Sequence, residues 1–199
     1  MKKGATEFMQ IIGLVGENGS GKNEVAEYLK ERCNSVVVNT GDMVREIANE
    51  RDLEPTRRNL HEISKQELHQ HGNDYFARRA MEQIESADAE VITVTGLRTP
   101  EDVMALREQY QDDFMLVRVD VSLPFARFER VAERDKERDP TEFKDFLKQD
   151  EWEKKLFNLE RTLQKADLTI SNDGKLEALR EELEEKLIDP HLSDKAKED

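Results

Sequence analysis

The sequence predicts an α/β fold built on a parallel sheet, and three observations carry that expectation. Short runs rich in β-branched residues alternate with longer helical patterns, the succession that parallel strands and their crossovers require. Several runs are almost unbroken in apolar residues, as in Ile11-Ile12-Gly13-Leu14-Val15, which marks strands covered on both faces. That first run leads into a glycine-rich turn, Gly16-Glu17-Asn18-Gly19-Ser20-Gly21-Lys22-Asn23, and then into the helical Glu24-Val25-Ala26-Glu27-Tyr28-Leu29.

Strands are expected at 10–15, 35–39, 90–95, 114–121 and 167–171. Helices are expected at 22–32, 43–51, 56–71, 74–86, 100–110, 124–137, 141–165 (with a break) and 175–187. About fifty residues of helical pattern separate the second and third strands, far more than a simple crossover needs. A second long, charged stretch separates the fourth and fifth. Insertions at the carboxyl ends of parallel strands are where substrate sites and lids belong. The expected organisation is one domain over 9–188, with an insertion at about 41–88, a lid region at about 124–150, and polar tails at 1–8 and 189–199.

Composition narrows the function. The 199 residues are 38% charged with a net charge of −14, which argues against nucleic acid or an anionic membrane as partner. The single Cys33 excludes an intramolecular disulfide and a multi-cysteine metal site, and its place near the end of the first helix reads as packing. No apolar run approaches the roughly 18–20 residues of a membrane span, and no secretory signal is visible, so a cytoplasmic location is expected. Oligomeric state is not legible.

The turn between first strand and first helix has the context of a phosphate-binding loop. Glycines let successive backbone N–H groups point inward around a polyphosphate, and the helix adds its own free N–H groups and positive dipole end. Lys22 brings a compact charge suited to β- and γ-phosphates. Gly16, Asn18, Gly19, Ser20, Gly21, Lys22 and Asn23 are therefore the expected cofactor-binding residues, with ATP and Mg²⁺ as the cofactors. Asn23 stands where a Ser or Thr hydroxyl ordinarily ligates Mg²⁺; its amide oxygen is a hard ligand but sits one bond further out.

Further along come Thr40-Gly41-Asp42-Met43-Val44-Arg45, Val94-Thr95-Gly96-Leu97-Arg98, Arg127-Phe128-Glu129-Arg130 and Ala166-Asp167-Leu168-Thr169-Ile170-Ser171-Asn172-Asp173-Gly174. Over about residues 9 to 187 this set resembles the nucleoside monophosphate kinase superfamily. It is most similar to archaeal-type adenylate-kinase-related proteins, often labelled dephospho-coenzyme A kinase-like. The resemblance implies a P-loop NTPase three-layer sandwich with a five-stranded parallel sheet, a helical acceptor-binding insertion and a lid. It implies transfer of the ATP γ-phosphoryl group to a nucleoside monophosphate or a related acceptor such as dephospho-coenzyme A. Thr40 and Gly41 would line the acceptor pocket, Arg45 would grip the acceptor phosphate, and Arg98 would contact that phosphate or the group in transfer. Asp42 would order a water on the metal or simply cap the next helix. Asn172 would lie near adenine or serve only as a turn.

Helical spacing puts Arg127, Arg130, Arg134 and Arg138 within an arc of about 80°. This is either a lid whose arginines close over ATP, with Arg127 and Arg130 catalytic beside Lys22 and Arg98, or a solvated face laced with ion pairs. Arg57, Arg58, Arg78 and Arg79 could touch a phosphorylated acceptor from the insertion, with surface placement the favoured reading. His61, His69 and His71 read as a polar helix face without ligand spacing. Thr95 occupies a position where the resembled proteins carry an acidic residue. Together with Asn23 it leaves open an alternative, a nucleotide-binding regulatory protein whose kinase activity has decayed.

Overall fold

In the computed structural model, which describes residues 9–133 and 139–195, the first apolar run forms β1 (Gln10–Val15) at the centre of a five-stranded sheet. Every pairing is parallel. The order is β2 (Val36–Asn39), β3 (Val91–Thr95), β1, β4 (Phe114–Asp120), β5 (Leu168–Ser171). Side-chain alternation divides β1 between two cores. Ile11 and Val15 pack on one face and Ile12 and Leu14 on the other, all fully buried. Between them, a Cβ on Gly13 would come within 2.8 Å of the Phe114 ring, so only a glycine lets the neighbouring strand bring that ring so close.

Helices cover both faces, which gives the three layers. On one face lie α1 (Lys22–Cys33) and α9 (Leu176–Leu183), through Val25, Leu29, Leu179 and Leu183. On the other lie α2 (Thr40–Glu50), α4 (Tyr75–Ser86) and α5 (Pro100–Tyr110), through Met43, Ile47, Ala80, Ile84, Val103 and Leu106. The insertion after β2 comprises α2, α3 (Arg57–His71) and α4. The stretch after β4 holds α6 (Pro124–Ala132), α7 (Phe143–Phe157) and α8 (Leu159–Leu163). Because β1 sits between β3 and β4, the carboxyl ends of these three strands converge on one crevice, the place where open α/β sheets bind ligands.

The chain departs from expectation at two boundaries, the start of α2 and the end of α9, and a third is now located. Helix α2 starts at Thr40 rather than at 43, because Asn39 caps it: its side-chain oxygen accepts the Gly41 N–H at 2.9 Å. The break anticipated within 141–165 falls at Asn158, which takes a left-handed φ of 51°, a conformation asparagine tolerates better than most residues. The expected polar tail from 189 is not loose throughout. Helix α9 continues through a π-turn at Glu184–Ile188, and Ile188 and Leu192 pack into the α1–α9 core. Residues 1–8, 134–138 and 196–199 lie outside the described residues, and with them Arg134 and Arg138. No described helix is long and apolar enough to cross a membrane.

Candidate active site

At the carboxyl end of β1 the glycine-rich turn wraps the start of α1. Gly19 and Gly21 have φ of 82° and 96°, the left-handed region where glycine escapes the Cβ penalty. Gly21 is also the N-cap of α1 and supplies no side-chain bond to the first turn. The N–H groups and the positive dipole end of a twelve-residue helix are thus presented to the crevice. Lys22 Nζ donates to the carbonyls of Gly16 (2.6 Å) and Glu17 (2.9 Å), holding its charge across the mouth of the loop.

The loop is braced from outside. Asn172, buried at the end of β5, donates from its amide to the Ser20 carbonyl at 2.8 Å. A Cβ on Gly21 would overlap that same amide. Arg127, 1% exposed, donates to the Asn18 carbonyl (3.1 Å) and makes a two-pronged pair with Asp150 on α7 (both 2.8 Å). Its Nε lies 3.2 Å from Glu17. Burial alone would weaken the Arg127 charge, but the hydrogen bond and charge of Asp150, with Glu17, more than restore it. Lys154, one turn after Asp150, closes the brace with ion pairs to Glu17 and to Asp150.

From the loop a cavity of about 210 Å³ runs between the sheet and the insertion. Gly16, Gly19, Gly21, Lys22 and Asn23 of the glycine-rich turn line it together with Arg45, Arg57 and Arg98. Thr40, Gly41, Thr95 and Gly96 also line it, with Val44, Leu60, Phe76 and Phe157 as apolar lining. Gly96 has φ 84°, and Thr40 Oγ1 occupies the space its Cβ would take, so β3 and α2 meet there closely.

Glu153, 8% exposed, is a buried carboxylate on this wall. Its Oε1 accepts from Arg57 Nη1 (2.5 Å) and lies 3.0 Å from His61 Nε2, while Arg98 Nη1 reaches Oε2 at 3.5 Å. Burial raises the Glu153 carboxyl, but Arg98, His61 and Arg57 overcome burial and hold it far below the usual glutamate range. Arg57 also pairs with Asp139 at 2.9 Å, and Arg98 lies over the Phe157 ring at 4.9 Å.

Several expected roles change place. Asp42, the expected metal residue, does not line the cavity: it is on the first turn of α2 and pairs with Arg45 three residues on, with most of its side chain exposed. Arg127 is a buried strut, its guanidinium consumed by Asp150, Glu17 and Asn18, and not a lid residue aimed at a ligand. Arg130 donates from Nη2 to the Asn172 carbonyl at 2.7 Å, so it reaches the loop brace and not the cavity wall. Asn172 likewise positions the loop. Arg57, for which the sequence makes contact with an acceptor the lesser reading, and His61, read as part of a polar helix face, are both on the cavity wall, whereas Arg78 and Arg79 pair on the surface, with Asp74 and Glu46. Glu153 and Asp150 were missed altogether. The available signal was spacing, since Phe146, Asp150, Glu153 and Phe157 recur on one helical stripe and all are buried.

The donor set suits a polyphosphate, because the loop amides and Lys22 converge with no acidic side chain among the loop residues on the cavity. For Mg²⁺ the fit is thinner. Asn23 and Thr95 offer neutral oxygens, and among the described residues no group of three or more His, Cys, Asp or Glu is placed to hold a metal ion.

Residues 15–146 match the family model described as an AAA domain, so the chain belongs to that family. A UPF0200 protein of Methanoculleus marisnigri is 32% identical over 175 residues, covering 88% of this chain and 93% of that one. The chain belongs to the UPF0200 family. Another UPF0200 protein, from Hyperthermus butylicus, is 32% identical over 86% of this chain and 90% of its own. The UPF0200/UPF0201 protein of Archaeoglobus fulgidus is also 32% identical, but this chain spans only 55% of its length. Solved structures share the fold of this UPF0200 chain at low identity. TT1252 from Thermus thermophilus has a TM-score of 0.61 at 19% identity, covering 92% of this chain and 98% of that one. A gluconokinase from Sinorhizobium meliloti has 0.54 at 16%, covering 88% and 89%. A shikimate kinase from Acinetobacter baumannii has 0.52 at 19%, covering 96% and 97%. The fold is that of P-loop kinases.

Proposed function

We propose that this UPF0200 chain is an ATP-dependent phosphotransferase that moves the γ-phosphoryl group to a small nucleotide-like acceptor, a nucleoside monophosphate or a molecule such as dephospho-coenzyme A. One observation carries the reading: a single cavity is lined both by the glycine-rich loop with Lys22 and by Arg45, Arg57 and Arg98 from the insertion and β3. A donor end on the loop and an acceptor end on the arginines is the arrangement in-line transfer needs, since positioning and converging positive charge supply most of the catalysis. Arginine suits the acceptor end because its planar fork donates two parallel hydrogen bonds and stays charged. Mg²⁺, when bound, would neutralise charge developing on the phosphates; Asn23 and Thr95 would face it, and phosphates and water would complete its shell.

The test is an acceptor panel with labelled ATP at varied Mg²⁺, beside calorimetry of ATP binding. Lys22→Ala should weaken ATP by about 10- to 100-fold, as expected for loss of a charge-assisted hydrogen bond of about 1.5–3 kcal/mol. Unchanged affinity would remove the loop from the site. A second reading, a nucleotide-binding regulatory protein, is favoured by the metal-poor donor set. Under it, ATP binds with little dependence on Mg²⁺, nothing is transferred, and Asn23→Thr or Thr95→Asp restores no rate. A working kinase should instead gain about tenfold from either change, if one good ligand adds about 1.4 kcal/mol at the transition state.

A further inference from the structure

The carboxylate of Glu153 is hard to reconcile with every acceptor on equal terms. It is the acidic group that joins Arg57 and Arg98 on the cavity wall, and those two arginines belong to the end where an acceptor must bind. Its position is rigid. Asp150, one turn earlier on α7, is locked to Arg127, and Lys154, the next residue, is paired with Glu17 of the phosphate-binding loop. Glu153 is therefore fixed relative to the loop itself. Its two oxygens are unequally used. Oε1 takes both Arg57 and His61, whereas Oε2 meets, among the described residues, only Arg98 at a long 3.5 Å, which leaves Oε2 capacity to accept a further donor.

An acceptor whose reacting group is a phosphate brings a dianion to this wall. It would compete with Glu153 for the same guanidinium donors and be repelled by it. An acceptor whose reacting group is an alcohol brings an O–H donor, for which a carboxylate oxygen is a natural partner. We propose that Glu153 is a specificity-determining residue that receives the hydroxyl of an alcohol acceptor, so that the substrate class is a hydroxyl-bearing anion: its anionic group on Arg45, which lines the cavity and is not bound to Glu153, its hydroxyl between Arg98 and Glu153. The proposal rests on the phosphotransfer reading and narrows it. In the step itself the alcohol oxygen bonds to the γ-phosphorus as the bond from phosphorus to the β,γ-bridging oxygen breaks. ADP leaves with that electron pair. The hydroxyl proton, oriented by Glu153, passes to an oxygen of the transferred group and then to water, which leaves a phosphate monoester. Glu153 orients and does not keep the proton, in line with how firmly its neighbours hold it ionised.

The experiment uses the full chain with ATP, Mg²⁺ and two probe sets: AMP and CMP as phosphate acceptors, and dephospho-coenzyme A, gluconate and glycerate as hydroxyl-bearing anions. Phosphorus NMR separates a monoester product from a phosphoanhydride. The expected result is a monoester. Glu153→Gln should lower kcat/KM for that alcohol at least tenfold with the KM for ATP unchanged. Calorimetry supplies a readout independent of turnover: AMP should bind at least tenfold more tightly to Glu153→Gln than to the wild type. Glu153→Asp, which keeps the charge and shortens the reach, should still exclude AMP, with circular dichroism verifying the fold of each variant. A phosphoanhydride product, or AMP affinity unmoved by Glu153→Gln, overturns the proposal and leaves the kinase reading standing. Absence of ATP binding by the wild type overturns both.

Discussion

Arg127 and Arg130 lie three positions apart on α6, yet their surroundings assign them different work. Arg127 is buried with both Nη atoms on Asp150, so the pair is a brace under the phosphate-binding loop. Removing one partner of a buried ion pair leaves the other charge without compensation, which costs about 3–5 kcal/mol. Asp150→Ala should therefore destabilise the protein by about that amount in urea unfolding, and it should weaken ATP binding by loosening Glu17 and Asn18. Arg130 is only partly buried and holds the Asn172 carbonyl. Arg130→Ala should cost about 1 kcal/mol or less, the value of a single hydrogen bond at the surface. Equal losses from the two changes would contradict this division of roles.

At the scale of elements, α7 is the part that makes the site. Its buried stripe carries Asp150 toward the loop and Glu153 toward Arg57 and Arg98, and Phe146 joins Phe128 and Phe143 in an aromatic cluster against α6. The helix stops at Asn158, where a left-handed residue turns the chain into α8, and Leu159 and Leu163 of α8 return to the core. A β-branched residue at that position pays the steric penalty of left-handed backbone, about 1–2 kcal/mol, whereas glycine pays none. Asn158→Val should lower the midpoint of thermal unfolding and Asn158→Gly should leave it nearly unchanged. A similar drop for both would mean that the Asn158 side chain, rather than its backbone, holds the junction.

At the scale of the molecule, a chain of net charge −14 gathers Lys22, Arg45, Arg57 and Arg98 on one cavity against a repulsive background. Its paired carboxylates also set its response to acid. Glu153 is held low by Arg98, His61 and Arg57 against burial, and Asp173 is held low by hydrogen bonds from Ser122. A group whose folded pKa is depressed binds fewer protons in the folded state. Its stabilisation is complete above its ordinary value and is lost as pH falls toward the folded one. Stability should thus be level near neutrality and fall below about pH 4.5, the ordinary glutamate value. Thermal unfolding from pH 7 to pH 3 should show a shallower acid slope for Glu153→Gln. An unchanged slope would place the acid-labile groups elsewhere.

The sequence by itself determined the sheet, the glycine-rich loop at the head of the first helix and the place of the helical insertion after the second strand. Those features rest on local physics: apolar runs of strand length, glycines where the backbone must turn left-handed, and a lysine at the head of a helix. It did not determine which of its many charged side chains face inward. Glu153 stands in the run Asp150-Glu151-Trp152-Glu153, and nothing local separates it from Glu151, which pairs with Lys155 on the surface. Only the packing of α7 across α3, α6 and the loop turns one carboxylate to the cavity and the other to water. The same holds for Arg57 against Arg78 and for Arg127 against its expected place over ATP. A charge acquires its role from the partners that burial brings to it, and those partners come from distant segments, as when Glu17 pairs with Arg127 and with Lys154.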